Sequence, residues 1–215
     1  MRSSVVTAIP HPEPPRPGRL GTLTPPRASV SETCVGAAAS DEALMAAFRD
    51  GRQAALSLLF DRYASRIQAA ILRLTSDGAL ARDITQTTFL SLVRGRARYA
   101  DGCRFRPWVY AIAMNALRDH MRRRKREVLV ADGGALLEGE SHVDRIRDLG
   151  LEARLRAALV QLPLEQRQAV VLHHVEGFAF AEIAEIAHCS RSAAKVRAHR
   201  GYRRLRELLE VGEEA

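Results

Sequence analysis

Three groups of residues in this chain are of types and spacings that could do chemistry. The first lies between Phe105 and Glu127. Trp108, Asn115 and Asp119 stand near i, i+7 and i+11 of one helical border, followed by the cations Arg118, Arg122, Arg123, Arg124, Lys125 and Arg126. An Asn at a helix border can hydrogen-bond a base edge, an aromatic beside it can stack on an unpaired base, and the cations can track phosphates. Taken alone, Trp108 reads first as a core residue and Asn115 equally as a satisfied core amide. The second group runs from Ser190 to Arg206, with seven cations and no acid. The third is His173, His174, His188 and Cys189, a possible metal set. Adjacent histidines on a helix point about 100° apart and do not chelate together easily, so no metal site is expected.

The charge balance separates the two basic groups. The 215 residues carry a net charge of +8. Residues 101–126 have eight cations against two acids, whereas residues 127–150 have two against six. Two contact sites on a polyanion, joined by a segment that avoids it, give this pattern. Cys34, Cys103 and Cys189 are far apart and form no CxxC, which fits a reducing cytoplasm rather than a disulfide framework. No apolar run approaches a membrane span, and prolines from Pro10 onward interrupt any signal-peptide core. Neither a phosphate-binding GxxxxGK[ST] loop, nor GxGxxG after a strand, nor GxSxG, nor an inward carboxylate pair is present. No catalytic residue and no cofactor is therefore assigned, and the chain reads as a non-enzyme.

The elements that must position these groups are helices. Residues 1–40 hold seven of the nine prolines and read as a disordered tail. From Asp41, apolar residues recur at three and four: Leu44, Phe48, Leu56, Leu59, Phe60, Tyr63, Ile67, Ile71 and Leu74. Gly51 punctuates a short first helix, and Thr75 to Gly78 is a break with capping chemistry. A helix from about Ala79 to Arg94 and a loop from Gly95 to Arg104 follow. The next helix admits Pro107 in its first turn and carries Val109, Ile112, Ala113 and Ala116 as its apolar stripe. Residues 128–142 read as a linker. Helical periodicity is expected from Val143 to Leu162, from Leu164 to Val175, over Ala179 to Ala187, and from Arg191 to Leu209. Residues 211–215 form a tail. The expected fold is all-α: two small helical bundles, 41–127 and 143–210, joined by a flexible linker.

The last two helices, joined by the turn His188-Cys189-Ser190, form a helix-turn-helix pattern. On the final helix Ala194, Ala198, Gly201, Leu205 and Leu208 share one stripe. Ser192, Val196, His199, Arg200 and Arg203 lie opposite, flanked by Lys195, Arg197, Arg204 and Arg206. A cationic face with short side chains near its start suits a major groove.

Several of these segments together resemble a known family. Phe105 to Asn115 with Asp119-His120 and the Arg run is similar to the promoter-melting segment of bacterial RNA polymerase sigma factors. The likeness is to the extracytoplasmic-function (ECF) type of the sigma-70 family. Asp83 to Leu90 resembles that family's core-polymerase-binding helix. Leu162 to Arg167 and Phe180 to Ala184 resemble the start of its second DNA-binding domain. The match spans roughly residues 41–210, in the family's order. It implies that Asp83, Gln86 and Phe89 face the polymerase, and that Trp108, Asn115, Arg118, Asp119, Arg122 and Arg123 serve the melting element. It further implies that Ser192, Lys195, Val196, Arg197, His199, Arg200 and Arg203 serve the distant promoter element. Expected partners are core RNA polymerase, promoter DNA and an anti-sigma factor, in the cytoplasm, in a stress or signal response. Arg82, Thr87 and Val93 depart from the family pattern, as does Ser192-Ala193-Ala194 at the start of the final helix. The competing expectation is a stand-alone helix-turn-helix regulator that binds duplex DNA as a dimer.

Overall fold

A computed structural model describes residues 38–131 and 150–210, and the expected tails and the linker beyond residue 131 lie outside this range. Helix α1 (Asp41–Arg49) starts at Ser40, whose Oγ accepts from the Ala43 N–H at 3.1 Å. Asp41 and Glu42 in its first turn and Arg49 in its last match the helix dipole. Gly51, at φ +101°, makes the corner into α2 (Gln53–Thr75). Asp77 then caps α3 (Gly78–Gly95), its Oδ1 accepting from Ala79 and Leu80 at 2.9 and 3.0 Å. One tight turn, Arg96–Arg98, leads to α4 (Phe105–Ala131). The first N–H of α4 is satisfied by Glu42 of α1, at 3.1 Å, so the first helix helps start the fourth.

The second bundle contains α5 (Leu151–Gln161), α6 (Leu164–Val170), α7 (Phe180–Ala187) and α8 (Arg191–Glu210). Three expectations change. Residues 128–131, assigned to the linker, continue α4. Of the helix expected from Val143 to Leu162, residues 143–149 lie outside the described range, and Gly150, with a ψ of 157°, is the start of α5. The helix expected to reach Val175 widens at Val171–Val175, where Glu176 bonds back five residues to the Val171 carbonyl at 3.0 Å. No strand occurs among the described residues.

The two bundles share one continuous apolar core. Phe48, Leu59, Ile67, Ile71, Leu92, Phe105 and Val109 fill the first, and Leu172, Phe178, Ile183, Ile186 and Ala194 fill the second, all at most 1% exposed. Helix α4 lies between them and buries Phe105, Val109 and Ala113 together with Tyr110, Met114 and Leu117. The expected stripe of α4 is thus corrected: Ile112 and Ala116 are only half-buried. The second bundle covers a side of the helix that a single bundle would leave in water. Arg167 of α6 crosses the same boundary, bonding the Leu74 carbonyl at the end of α2 and the Leu162 carbonyl at 2.8 Å.

Candidate nucleic-acid interface

Helix α8 is held by a cap and a close approach. Ser190 Oγ accepts from the Ala193 N–H at 3.1 Å, as its position before the helix requires. At the other side of the helix Gly201 meets α6. A Cβ there would stand 2.7 Å from Val170 Cγ2 and 3.2 Å from the Gln166 carbonyl. Burying Ala194, Ala198, Gly201, Leu205 and Leu208 turns Ser192, Lys195, Val196, His199, Arg200 and Arg203 outward, all exposed. Arg197 departs from this face. It is half-buried and pairs with Glu165 of α6 at 2.7 Å, so in this arrangement it ties the helix to its own bundle. Arg200, Arg203 and Arg204 border a recess of about 360 Å³ with Pro163 and Gln166.

On α4 the six expected residues divide. Arg122, Arg123, Lys125 and Arg126 line an open basic depression of about 570 Å³ with Asp119, which pairs with Arg122. Trp108 is half-buried, packed edge-on against Tyr99 (ring centroids 5.1 Å apart) and tilted against Phe105 (6.2 Å). Asn115 accepts from Arg118 through its Oδ1 at 2.5 Å. Arg118 is turned toward α7, donating to the carbonyls of Ile186 (3.2 Å) and Ala187 (3.3 Å). Burial, with Arg122 close by, lowers its pKa. Trp108 also lines a recess of about 420 Å³ with Gly102, Cys103, Arg104, Pro107 and Ala111, closed on the far side by Glu185 and His188 of the second bundle. Glu185 and His188 could not be read as neighbours of Trp108, because nothing in a helical period reports a partner more than seventy positions away.

The expected polymerase-facing residues lie on α3. Asp83 and Gln86 are exposed. Phe89 is buried, at 7% exposure, and packs on Phe60 with ring centroids 4.8 Å apart. The exposed apolar side chains are instead Phe60, Leu90 and Val93, at 47%, 48% and 37%. They border a groove of about 330 Å³ that Gln86 and Arg82 share. Leu90 and Val93 stand three apart and off the core stripe, a signal the sequence carried but the motif did not.

His173 and His174 pack within the second bundle. His173 Nδ1 lies 2.8 Å from the Phe178 carbonyl and its ring stacks on Phe180, while His174 packs edge-on against Tyr202. Cys103 and Cys189 are free thiols. Among the described residues no three His, Cys, Asp or Glu side chains converge as metal ligands, and no helix is long and apolar enough to cross a membrane.

Comparison with known proteins agrees with this layout. Residues 59–127 match the family model for Sigma-70 region 2, and residues 152–205 that for Sigma-70, region 4. The chain is 45% identical over 165 residues to the RNA polymerase sigma factor CarQ of Myxococcus xanthus, covering 77% of this chain and 95% of that protein. It is 33% identical over 172 residues to the ECF RNA polymerase sigma factor SigM of Mycobacterium tuberculosis, covering 79% and 85%. Among solved structures it resembles the sigma factor RpoE of Bartonella quintana, determined in complex with the anti-sigma factor NepR. That match has a TM-score of 0.61 and 28% identity, covering 72% of this chain and 96% of that one. With Sigma-70 region 2 and region 4 matched in order and relatives matched along most of their length, the chain belongs to the sigma-70 family of RNA polymerase sigma factors, in its extracytoplasmic-function group.

Proposed function

We propose that the chain binds core RNA polymerase in the cytoplasm and directs it to a two-part promoter. In this reading exposed Asp83 and the groove lined by Gln86 and Phe89 face the polymerase, and Phe60, Leu90 and Val93 add apolar contact. Trp108 with the recess it lines, and Asn115 further along the helix, receive bases as the duplex opens, and Arg122 and Arg123 hold the adjacent backbone. Extruding a base costs a few kcal/mol, which a stacking aromatic and nearby donors offset. Lys195, Val196, His199 and Arg200 read the distant element in the major groove, with Ser192 and Arg203 at the ends of the contact. The observation that carries this is the outward cationic face of α8 on the same chain as the basic end of α4. A protein inhibitor of the anti-sigma class is the expected regulator, since the Bartonella relative was crystallised with one.

The test is retention of bacterial core polymerase on the immobilised chain, followed by run-off transcription from a genomic promoter library. Chain-dependent transcripts sharing a two-part upstream motif are the expected result. If core is not retained and no transcript depends on the chain, the reading fails. Duplex binding as a dimer without polymerase would then identify a stand-alone regulator.

A further inference from the structure

The outward face of α8 is chemically uneven. Among the described residues of this helix, Val196 is the one large apolar side chain that is exposed, at 47%. At about 100° per residue it stands about 200° around the axis from Ala194, so it points straight away from the buried stripe. Its neighbours on that face, Ser192, His199, Arg200 and Arg203, are all exposed and all able to hydrogen-bond. An isolated apolar side chain on a surface is ordinary. This one occupies the crest of a cationic helix, the line that goes deepest when such a helix enters a groove.

Three features keep it there. Ala194, Ala198 and Gly201 are buried, and a Cβ at Gly201 would stand 2.7 Å from Val170 Cγ2, so α8 sits close on α6. The Arg197–Glu165 pair, at 2.7 Å, ties one flank to the same helix. Val196 itself is β-branched, and a helix confines such a side chain to essentially one rotamer. Its two methyls are therefore held at a fixed height and angle before any DNA arrives, while Arg200 and Arg203 reach out on long arms with many rotamers.

The major-groove edges of the base pairs carry hydrogen-bond donors and acceptors, and one apolar group, the C5 methyl of thymine. A valine pressed against a donor or acceptor strips it of water and returns no hydrogen bond. Against the thymine methyl it buries apolar area on both sides. We propose that Val196 is a specificity-determining residue that reads a thymine methyl in the distant promoter element. This rests on the sigma-factor reading and names a base that reading leaves open. Arg200 lies about 6 Å further along the axis, so the thymine stands within about two base pairs of the base that Arg200 contacts.

Deoxyuridine tests this, because it pairs as thymine does and lacks only the methyl. The full chain is assembled with core polymerase, and each thymine of the distant element found in the promoter library is replaced in turn in a synthetic duplex. One replacement should raise the apparent Kd of the assembled complex about fourfold, the worth of one buried carbon. Val196→Ser removes both methyls and should bind the thymine and deoxyuridine duplexes equally at that position. Val196→Thr keeps one methyl and should retain most of the discrimination. Val196 is exposed, so neither substitution empties the core. A merely structural role would weaken binding to both duplexes and leave their ratio at about fourfold. A ratio that survives Val196→Ser, a distant element without thymine, or one with no position sensitive to deoxyuridine overturns the proposal and leaves the sigma reading standing. Absence of any chain-dependent transcript removes the sigma reading, and this proposal with it.

Discussion

Helices α4 and α8 are both long, basic and written in the sequence as nucleic-acid surfaces, yet the fold treats them differently. Helix α8 buries one stripe and leaves the opposite face in water. Helix α4 is packed from two directions, and of its expected contact residues Arg118 is bonded to carbonyls of α7. The difference teaches that net charge marks a helix as a polyanion surface without saying whether that surface is free. A cation is also a good donor to a neighbouring helix's unpaired carbonyls.

The sharpest way to break the comparison is to remove apolar volume from each helix. Phe105→Ala empties a site that is fully buried among Tyr63, Tyr99 and Trp108, and should cost about 3–5 kcal/mol in denaturant unfolding. Val196→Ala on the open face of α8 should stay within about 0.5 kcal/mol. Comparable losses at the two sites would mean that α8 is also covered.

Next in size is the close crossing of α8 on α6. Gly201→Leu should destabilise the chain by about 2–3 kcal/mol, since even a Cβ there would meet Val170 and the Gln166 carbonyl. Thermal unfolding with the midpoint unmoved would show that the helix can shift outward and that the small-residue stripe is not required.

A third measurement separates the chemistry of the two surfaces. Arg200→Ala should lower transcription about tenfold from promoters bearing the preferred distant element and relax preference at one position. Arg123→Ala should weaken binding to all promoters alike and reduce the salt slope by about one counterion. Identical promoter profiles for both variants would collapse the distinction.

The smallest effect concerns His174. Partial desolvation, and His173 beside it, hold the imidazole below its ordinary value of 6.5. The folded state therefore binds its proton less readily than the unfolded chain. Its contribution is fully present above about pH 6.5 and is lost as pH falls below that. His174 is exposed, so the slope is shallow. His174→Gln should flatten stability between pH 6.5 and the lower pKa; an unchanged curve would assign the acid loss to other groups.

These helices also show how much was legible beforehand. The buried stripe of α8 follows from one helical period, because a single neighbouring surface covers it, and every residue placed on it is buried. The caps Ser190 and Asp77 were equally readable, since a cap acts within three residues. The stripe of α4 was only half-read. Val109 and Ala113 face the first bundle, but Tyr110 and Met114 are buried as well, and Tyr110 owes this to Glu176 and Phe178, which no local pattern joins to it. Phe89 is expected to face a partner on the strength of a motif, which lists residue types rather than exposures; it lines the groove from within, and Leu90 and Val93 beside it carry the exposed apolar surface.

Arg167 gives the boundary between the bundles a particular temper. Its guanidinium is buried without a carboxylate, bonded to the Leu74, Val160 and Leu162 carbonyls, with Nε left unpartnered. Burial alone pulls its pKa down to about 10, so it remains charged at neutral pH. Such a group holds two bodies together while keeping a standing affinity for water. Water reaching this boundary could replace its bond to Leu74 and satisfy the Nε that packing leaves without a partner. An oily seam resists wetting along its whole length; this one has a point where wetting is welcome.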